Sequence, residues 1–176
     1  LGDPGDIRAR IDSILRARGI NENFPKGVIE QAEEFGARLE PAQWQSREAL
    51  FNLPICTIDG ADARDFDDAV SLEDLGGGML RLGVHIADVA YYVKSGTALD
   101  AEAYSRATSV YLPDRVVPML PPALSDNLCS LVPRQERLTM SVFMDINSSG
   151  KVTRRRLAET VIRSWRRFTY EEIQTL

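Results

Sequence analysis

The run Pro54-Ile55-Cys56-Thr57-Ile58-Asp59-Gly60-Ala61-Asp62-Ala63-Arg64-Asp65-Phe66-Asp67-Asp68-Ala69-Val70-Ser71-Leu72 changes character twice. Ile55–Ile58 is a short apolar, β-type run that stops at Asp59, and Ala69–Leu72 reads as a second strand. Between them five carboxylates fall within ten residues, Asp59 to Asp68, interrupted by Phe66 and small residues. A loop flanked by two apolar strands sits at a rim of the core. Carboxylates gathered there repel one another and call for a cation. Hard divalent ions take oxygen ligands, and Mg²⁺ commonly keeps room for water and phosphate. A solvated acidic loop is the plain alternative. Zinc does not fit, because His85 is the one histidine and the thiols are distant in sequence.

Two familiar acidic patterns fail on this run. A calcium loop needs acidic or amide groups at positions 1, 3 and 5 and glycine at 6. Started at Asp59 it meets Ala61 at position 3; started at Asp65 it meets Ala69 and Val70 at positions 5 and 6. Asp65-Phe66-Asp67-Asp68-Ala69 superficially matches the D-x-D-x-T/V of haloacid-dehalogenase-type phosphatases. There the first aspartate closes an apolar strand, whereas Asp65 follows Asp62-Ala63-Arg64.

Before the loop, Leu1–Leu50 reads as a helical lead-in. Ile7, Ile11, Ile14 and Leu15 recur on one face, with Gly19 as a stop; a second helix starts at Pro25 and carries Val28, Ile29, Ala32 and Phe35 towards Leu39 and Pro41. After the loop, Gly76-Gly77-Gly78 predicts a turn into a strand over Met79–Ile86. Thr97 with Asp100 predicts a capped helix to about Arg106. Val110–Leu112 is short and extended, and the four prolines of Pro113–Pro122 impose irregular chain. Leu138–Ile146 and Val152–Ser164 are strand-like across Asn147-Ser148-Ser149-Gly150, which is hairpin chemistry. Thr169-Tyr170-Glu171-Glu172 is a capping box followed by only four residues; since one turn of helix is not stable alone, a longer polypeptide is expected.

Composition narrows the classes. The chain has 176 residues, 44% hydrophobic, enough for a real core. The longest stretches without a charge, Ala49–Ile58 and Val116–Ser125, are ten residues each. A bilayer span needs ~20. Cys56 and Cys129 make neither a disulfide scaffold nor a zinc site, and reduced thiols in a cytoplasmic protein are expected. Net charge is −5, but residues 1–150 carry 14 basic and 23 acidic side chains while residues 151–176 carry seven and three. An acidic protein does not coat nucleic acid indiscriminately, yet a basic strip beside an acidic pocket suits a polyanion handled through a metal.

Several motifs in one order carry a resemblance. Thr57-Ile58-Asp59-Gly60 with Asp65-Phe66-Asp67-Asp68-Ala69 resembles the metal-binding signature of the catalytic (RNB) domain of ribonuclease II/ribonuclease R exoribonucleases. Val84-His85-Ile86-Ala87-Asp88-Val89 with Tyr91-Tyr92-Val93 is similar to that family's next strand. Thr108–Pro113, Val117–Pro121, Leu124-Ser125, Leu128–Leu131, Val161–Ser164 and Thr169–Glu172 follow in order. The match is dense over residues 52–176, loose over the lead-in, and nearest the ribonuclease R branch. It implies an α+β fold: a two-helix lead-in (1–50), then a mixed, largely antiparallel β-sheet with flanking helices (51–176), the amino-terminal part of the catalytic domain. Leu1-Gly2-Asp3-Pro4 resembles the sequence that follows the family's cold-shock region. Cold-shock, distal catalytic and S1 regions are therefore expected outside this chain.

The resemblance also implies a chemistry. The family degrades single-stranded RNA from its 3′ end to nucleoside monophosphates with Mg²⁺ or Mn²⁺. Carried over by position, Asp59, Asp65, Asp67 and Asp68 are its four catalytic, metal-binding aspartates, with Asp59 and Asp68 the first choices as direct ligands. Asp65 and Asp67 position the metal, its waters or the RNA end. Tyr111 matches the tyrosine that stacks near the 3′-terminal base, against the alternative of a buried strand tyrosine. Arg163 and Arg167, within the strip Arg154-Arg155-Arg156, Arg163, Arg166 and Arg167, are candidate RNA contacts, against a plain solvent face. Asp62 reads as a solvated carboxylate, His85 as structural, Asp88 as serving a strand end, and Trp44 and Trp165 as packing residues. Two other outcomes remain open: a folded but catalytically incomplete fragment with weak metal and RNA binding, and a phosphomonoesterase using Asp65 as nucleophile.

Overall fold

The structure, a computed structural model, describes residues 7–175. Leu1-Gly2-Asp3-Pro4, part of the resemblance, lies outside the described residues. In chain order the elements are α1 (Ile7–Ala17), α2 (Lys26–Glu33), α3 (Pro41–Trp44), β1 (Glu48–Ala49), β2 (Cys56–Asp59), β3 (Asp68–Gly76) and β4 (Met79–Ala87). They continue with α4 (Val89–Tyr92), α5 (Ala98–Arg106), β5 (Val110–Tyr111), β6 (Val116–Val117), a π-helical turn (Leu124–Leu128), β7 (Glu136–Ile146), β8 (Val152–Arg163), β9 (Arg166–Thr169) and α6 (Tyr170–Ile173). The fold is α+β with a mostly antiparallel sheet, as the sequence implies.

Seven strands form one sheet in the order β1-β8-β7-β4-β3-β2-β9. β3 and β4 are joined through Gly76, Gly77 and Gly78, all at φ between 61° and 78°, a conformation that glycine adopts without Cβ strain. β7 and β8 turn on Asn147, whose Oδ1 accepts from the Ser149 and Lys151 amides at 3.1 and 2.9 Å. α5 begins as its sequence predicts, with Thr97 Oγ1 accepting from the Asp100 amide at 3.2 Å. β8 and β9 lie near opposite ends of the strand order, yet only Ser164 and Trp165 separate them. The sheet therefore curls strongly, bringing β9 into parallel pairing with β2.

One face of the curled sheet packs on helices. Val28 and Ala32 of α2, Tyr92 of α4 and Leu99 and Ala103 of α5 share a core with Ile55, Leu138, Phe143 and Ile162. A smaller cluster joins Ile11 and Leu15 of α1 to Val117 of β6. α1 thus buries a narrower stripe than its spacing predicts: Ile7 and Ile14 stay exposed, because only the Val117 side of the helix meets a partner. On the opposite sheet face Leu72, Leu80, Ile86, Met140 and Leu157 are exposed, which is why β4 and β7 read as near-continuous apolar runs.

Three local readings change. Trp165, expected to pack, is 62% exposed, since the tight β8–β9 corner fixes its backbone and leaves its ring outside the core. Tyr91-Tyr92-Val93 is not extended: the Asp88 carboxylate caps the Tyr91 amide at 3.2 Å and starts α4. The proline-rich Pro113–Pro122 holds the two residues of β6, paired with β5.

A buried polar ladder crosses the sheet beneath the helices. Ser71 Oγ and Ser141 Oγ bond the two ring nitrogens of His85 at 3.0 and 2.7 Å. Thr160 Oγ1 bonds Ser141 and Thr139 hydroxyls, both at 2.6 Å. Gly83 stands beside it because a Cβ there would lie 2.3 Å from Ser71 Oγ and 2.9 Å from His85 Nε2. His85 therefore serves structure, and burial lowers its pKa from 6.5 to about 4. The unfolded chain takes up this proton first, so stability is full above about pH 6.5 and falls as pH drops towards 4. We expect this histidine to cost roughly 3 kcal/mol at the bottom of that window. As His85 is the one histidine, its C2–H NMR resonance should titrate near 4. A midpoint near 6.5 would show the ring to be solvated.

Candidate functional site

The acidic loop leaves β2 at Asp59 and enters β3 at Asp68, and three anchors fix it. Phe66 is buried, and its amide and carbonyl bond Ser130 Oγ at 3.1 Å and the Leu131 amide at 2.8 Å. Ser130 Oγ donates to the Arg64 carbonyl at 2.7 Å, and buried Arg137 holds the Ser130 carbonyl at 2.8 Å. Arg167 of β9 donates to the Gly60 and Ala61 carbonyls at 2.5 and 2.7 Å, with its guanidinium 5.1 Å from the Phe66 ring centre. A loop of acid residues is thus held to one shape by an aromatic plug, a hydroxyl and a guanidinium.

The four aspartates feel one another. Burial raises the pKa of Asp59, the charges of Asp68 and Asp65 add to the rise, and the Thr57 hydroxyl and Arg167 ease it. Burial also raises Asp67, followed by the charges of Asp65, Asp68 and Asp59. Among the described residues no well-formed hydrogen bond reaches the buried Asp59 Oδ2, Thr57 Oγ1 or Arg167 Nε, so the Thr57 hydroxyl eases Asp59 by its nearness alone. A buried carboxylate oxygen left unsatisfied is costly unless something absent here completes it. Among the described residues no three carboxylate, imidazole or thiol groups close on one point. A divalent ion held by fewer than three of these carboxylates would be a hard one that keeps several of its own waters.

Tyr111 stands at this cluster. Its ring is 66% exposed, and its hydroxyl donates to Asp65 Oδ2 at 2.6 Å, the bond that chiefly raises the phenol to about 12. The buried-tyrosine alternative is thereby removed. Tyr111 is carried by the β5–β6 pair, which rests on α1 through Val117. Arg115 ties the same unit together, reaching Asp12 of α1 at 2.5 Å, Glu22 at 2.6 Å and Asp114 at 2.7 Å. A cleft of about 710 Å³ opens between the acidic loop and this unit, lined by Asp62, Asp65, Tyr111, Arg115 and Asp126 among others.

The structure brings together Asp59, Asp65, Asp67, Asp68 and Tyr111, and sets Asp62 at the cleft wall. Arg167 reaches the loop through its backbone carbonyls. Arg163 is elsewhere, paired with Glu136 and stacked 4.7 Å over Phe51. Asp88 is paired with Arg47 at 2.5 Å, both side chains under 10% exposed, so it serves the strand end. Arg115 escaped sequence reading, because Asp12 and Glu22 lie some ninety or more residues from it. Ser130 lay within a noted motif, Leu128–Leu131, but nothing local marks its grip on the loop.

The RNB domain family matches residues 47–176. Ribonuclease R of Thermotoga maritima is 47% identical over 175 residues, covering 98% of this chain and 25% of that protein. Ribonuclease R of Mycoplasma genitalium, solved with double-stranded RNA, superposes with a TM-score of 0.91 at 32% identity, over 99% of this chain and 31% of that one. Yeast Ssd1, described as a pseudonuclease, superposes with a TM-score of 0.79 at 25% identity, over 99% of this chain and 22% of its own. The chain spans about a quarter of the length of the curated relatives it matches.

Asp59 and Asp67, raised first by burial and then by the charges of their neighbours, are a local strain on the fold. In EDTA, Asp67→Asn should melt at or above the parent, by roughly 2 °C for about half a kcal/mol after solvent screening. Mg²⁺ or Mn²⁺ should raise the parent's Tm and raise that of Asp59→Asn less. Equal shifts in parent and Asp59→Asn would remove Asp59 from the site.

Proposed function

Because this chain belongs to the RNB domain family, we propose that it carries the divalent-cation part of a hydrolytic 3′→5′ exoribonuclease site. The substrate is single-stranded RNA and the products are nucleoside 5′-monophosphates. The observation that carries the reading is the partnerless buried Asp59 oxygen among four mutually repelling aspartates, with Tyr111 docked on Asp65. Asp59 and Asp68 would hold Mg²⁺ or Mn²⁺, with Asp65 and Asp67 ordering its waters or the RNA end. When bound, such an ion neutralises charge on the phosphodiester oxygens and lowers the pKa of an attacking water.

The chain's own residues do the rest of what is proposed. Tyr111 offers an open aromatic face to the terminal base, and stacking tolerates any sequence because every base has a π-face. Its hydroxyl fixes Asp65 while the ring stays free. Arg167 and Ser130 keep the loop backbone from relaxing away from its own repulsion. Arg115, engaged by Asp12, Glu22 and Asp114, braces the cleft wall rather than offering free positive charge. Since the chain spans about a quarter of its relatives, we place the groups that complete the site outside these residues. The phosphomonoesterase alternative loses support: Asp65 lies six residues beyond the end of β2 and accepts a hydrogen bond from the Tyr111 hydroxyl, unlike a nucleophile presented at a strand end.

The test is a denaturing gel with 5′-labelled single-stranded RNA. In Mg²⁺, with a relative's remaining catalytic segment supplied, we expect a ladder shortening from the 3′ end, abolished by EDTA and slowed at least ~100-fold in Asp68→Asn. RNA left intact by this chain but degraded when a relative's remaining catalytic segment is supplied would locate the completing groups. RNA intact in both would overturn the proposal.

A further inference from the structure

The corner between β8 and β9 is fixed by backbone bonds. The Ser164 carbonyl accepts from the Arg134 amide at 2.7 Å, and the Trp165 amide donates to the Ile55 carbonyl at 2.7 Å. An indole 62% exposed on so rigid a backbone is an ordered aromatic surface in water. It is not alone. Phe51 lies edge-on to Trp44 at 5.4 Å and carries the Arg163 guanidinium over its face at 4.7 Å. Phe51, Leu53, Pro54, Arg134, Arg163 and Trp165 enclose most of a cleft of about 330 Å³.

The charges of this cleft are of one sign. Its ionisable lining residues are Arg134 and Arg163, and no carboxylate lines it. Glu136 pairs with Arg163 but stands outside the lining. Arg134 is exposed and makes no ion pair among the described residues. Cations interleaved with aromatic faces suit a ligand that is itself both anionic and aromatic.

We propose that this corner is a second contact for single-stranded RNA, separate from the acidic site: a base stacks on Trp165 and Arg134 takes a neighbouring phosphate. The location supports it. β2 and β9 run parallel, with Cys56 beside Arg166 and Asp59 beside Thr169. Trp165 therefore sits at the start of these strands and the acidic loop at their end, roughly 13 Å apart at ~3.3 Å per residue. That distance is about four stacked nucleotides at ~3.4 Å each. An RNA whose 3′ end lies at the aspartates has its upstream bases within reach of the corner. The inference rests on the RNA reading of the chain, and its test separates the two.

The experiment is fluorescence anisotropy of a labelled oligouridylate with the 176-residue chain in EDTA, so that no cation bridge contributes. Trp165→Ala, Arg134→Glu and Lys151→Glu are compared with the parent. Trp165 and Arg134 are surface residues, and far-UV circular dichroism checks that each variant folds. Lys151, on the β7–β8 turn, controls for the change in net charge. We expect Trp165→Ala to weaken binding about tenfold. Arg134→Glu should weaken it and flatten the salt dependence by about one phosphate contact, with Lys151→Glu near the parent. Unchanged affinity in both corner variants, or an equal loss in Lys151→Glu, overturns the corner and leaves the RNA reading standing. No binding by the parent at low salt overturns both. If Trp165→Ala instead alters self-association without altering RNA affinity, the corner is a protein contact and the proposal falls.

Discussion

Parallel pairing of β9 with β2 is the constraint on which the candidate site depends. β2 is four residues long and meets β3 in register at a single pair, Cys56 with Val70. It meets β9 over its whole length, Cys56–Asp59 against Arg166–Thr169. The strand that delivers Asp59 is therefore held chiefly by a segment more than a hundred residues later. The same pairing sets Arg167 where its guanidinium reaches the Gly60 and Ala61 carbonyls. It places the Thr169 capping box, with Glu172 bonding the Thr169 amide at 2.7 Å, at the Asp59 end of the strand. Closing the sheet at this point fixes the loop's entry, and Phe66 with Ser130 fixes its exit.

Such anchoring answers an electrostatic problem. Four carboxylates in a half-buried loop would relieve their repulsion by spreading into water if the backbone were free. Here each escape is blocked by a contact that involves no carboxylate: Phe66 in the core, Ser130 on two backbone groups, Arg167 on two carbonyls. Arg167 is spent on carbonyl oxygens instead of neutralising an aspartate directly. The cluster consequently keeps its negative charge, and the loop keeps its shape, which is the combination an incoming divalent ion requires. Local strain tolerated at a site and offset by surrounding structure is the usual sign of function over stability.

Much of this was legible in the chain, and the division is physical. The β3–β4 and β7–β8 hairpins, the Thr97 and Thr169 caps and the acidic loop all rest on residues within a few positions of one another, so local chemistry announces them. The motif order also tied Tyr111 to the aspartates. What sequence reading missed depends on long-range closure. β9 has no alternation of its own and exists because the curled sheet offers it β2. Trp165 looks like any packing tryptophan until the β8–β9 corner turns it outward. Arg115 links residues 12 and 22, and Arg167 grips a loop at residues 60 and 61, neither pairing being inferable from spacing. The π-helical turn at Leu124–Leu128 follows two prolines and sets Cys129 and Ser130 into the core, again for reasons of packing.

A shared scaffold does not settle what such a scaffold does. This chain superposes on a ribonuclease R and on a pseudonuclease alike, so the curled sheet and its helices are compatible with chemistry and with its loss. The difference must lie in side chains that the fold holds in place without needing them. On the proposed reading the aspartates are such side chains, since burial and neighbouring charges work against Asp59 and Asp67. Tyr111 qualifies too, exposing its ring while its hydroxyl is committed to Asp65. His85 is the opposite case: both nitrogens are engaged by serines and its surroundings keep it neutral, so its place in the family motif reflects the sheet's interior. Sorting motif residues by whether the fold would be better off without them is thus a sharper guide to function than the fold itself.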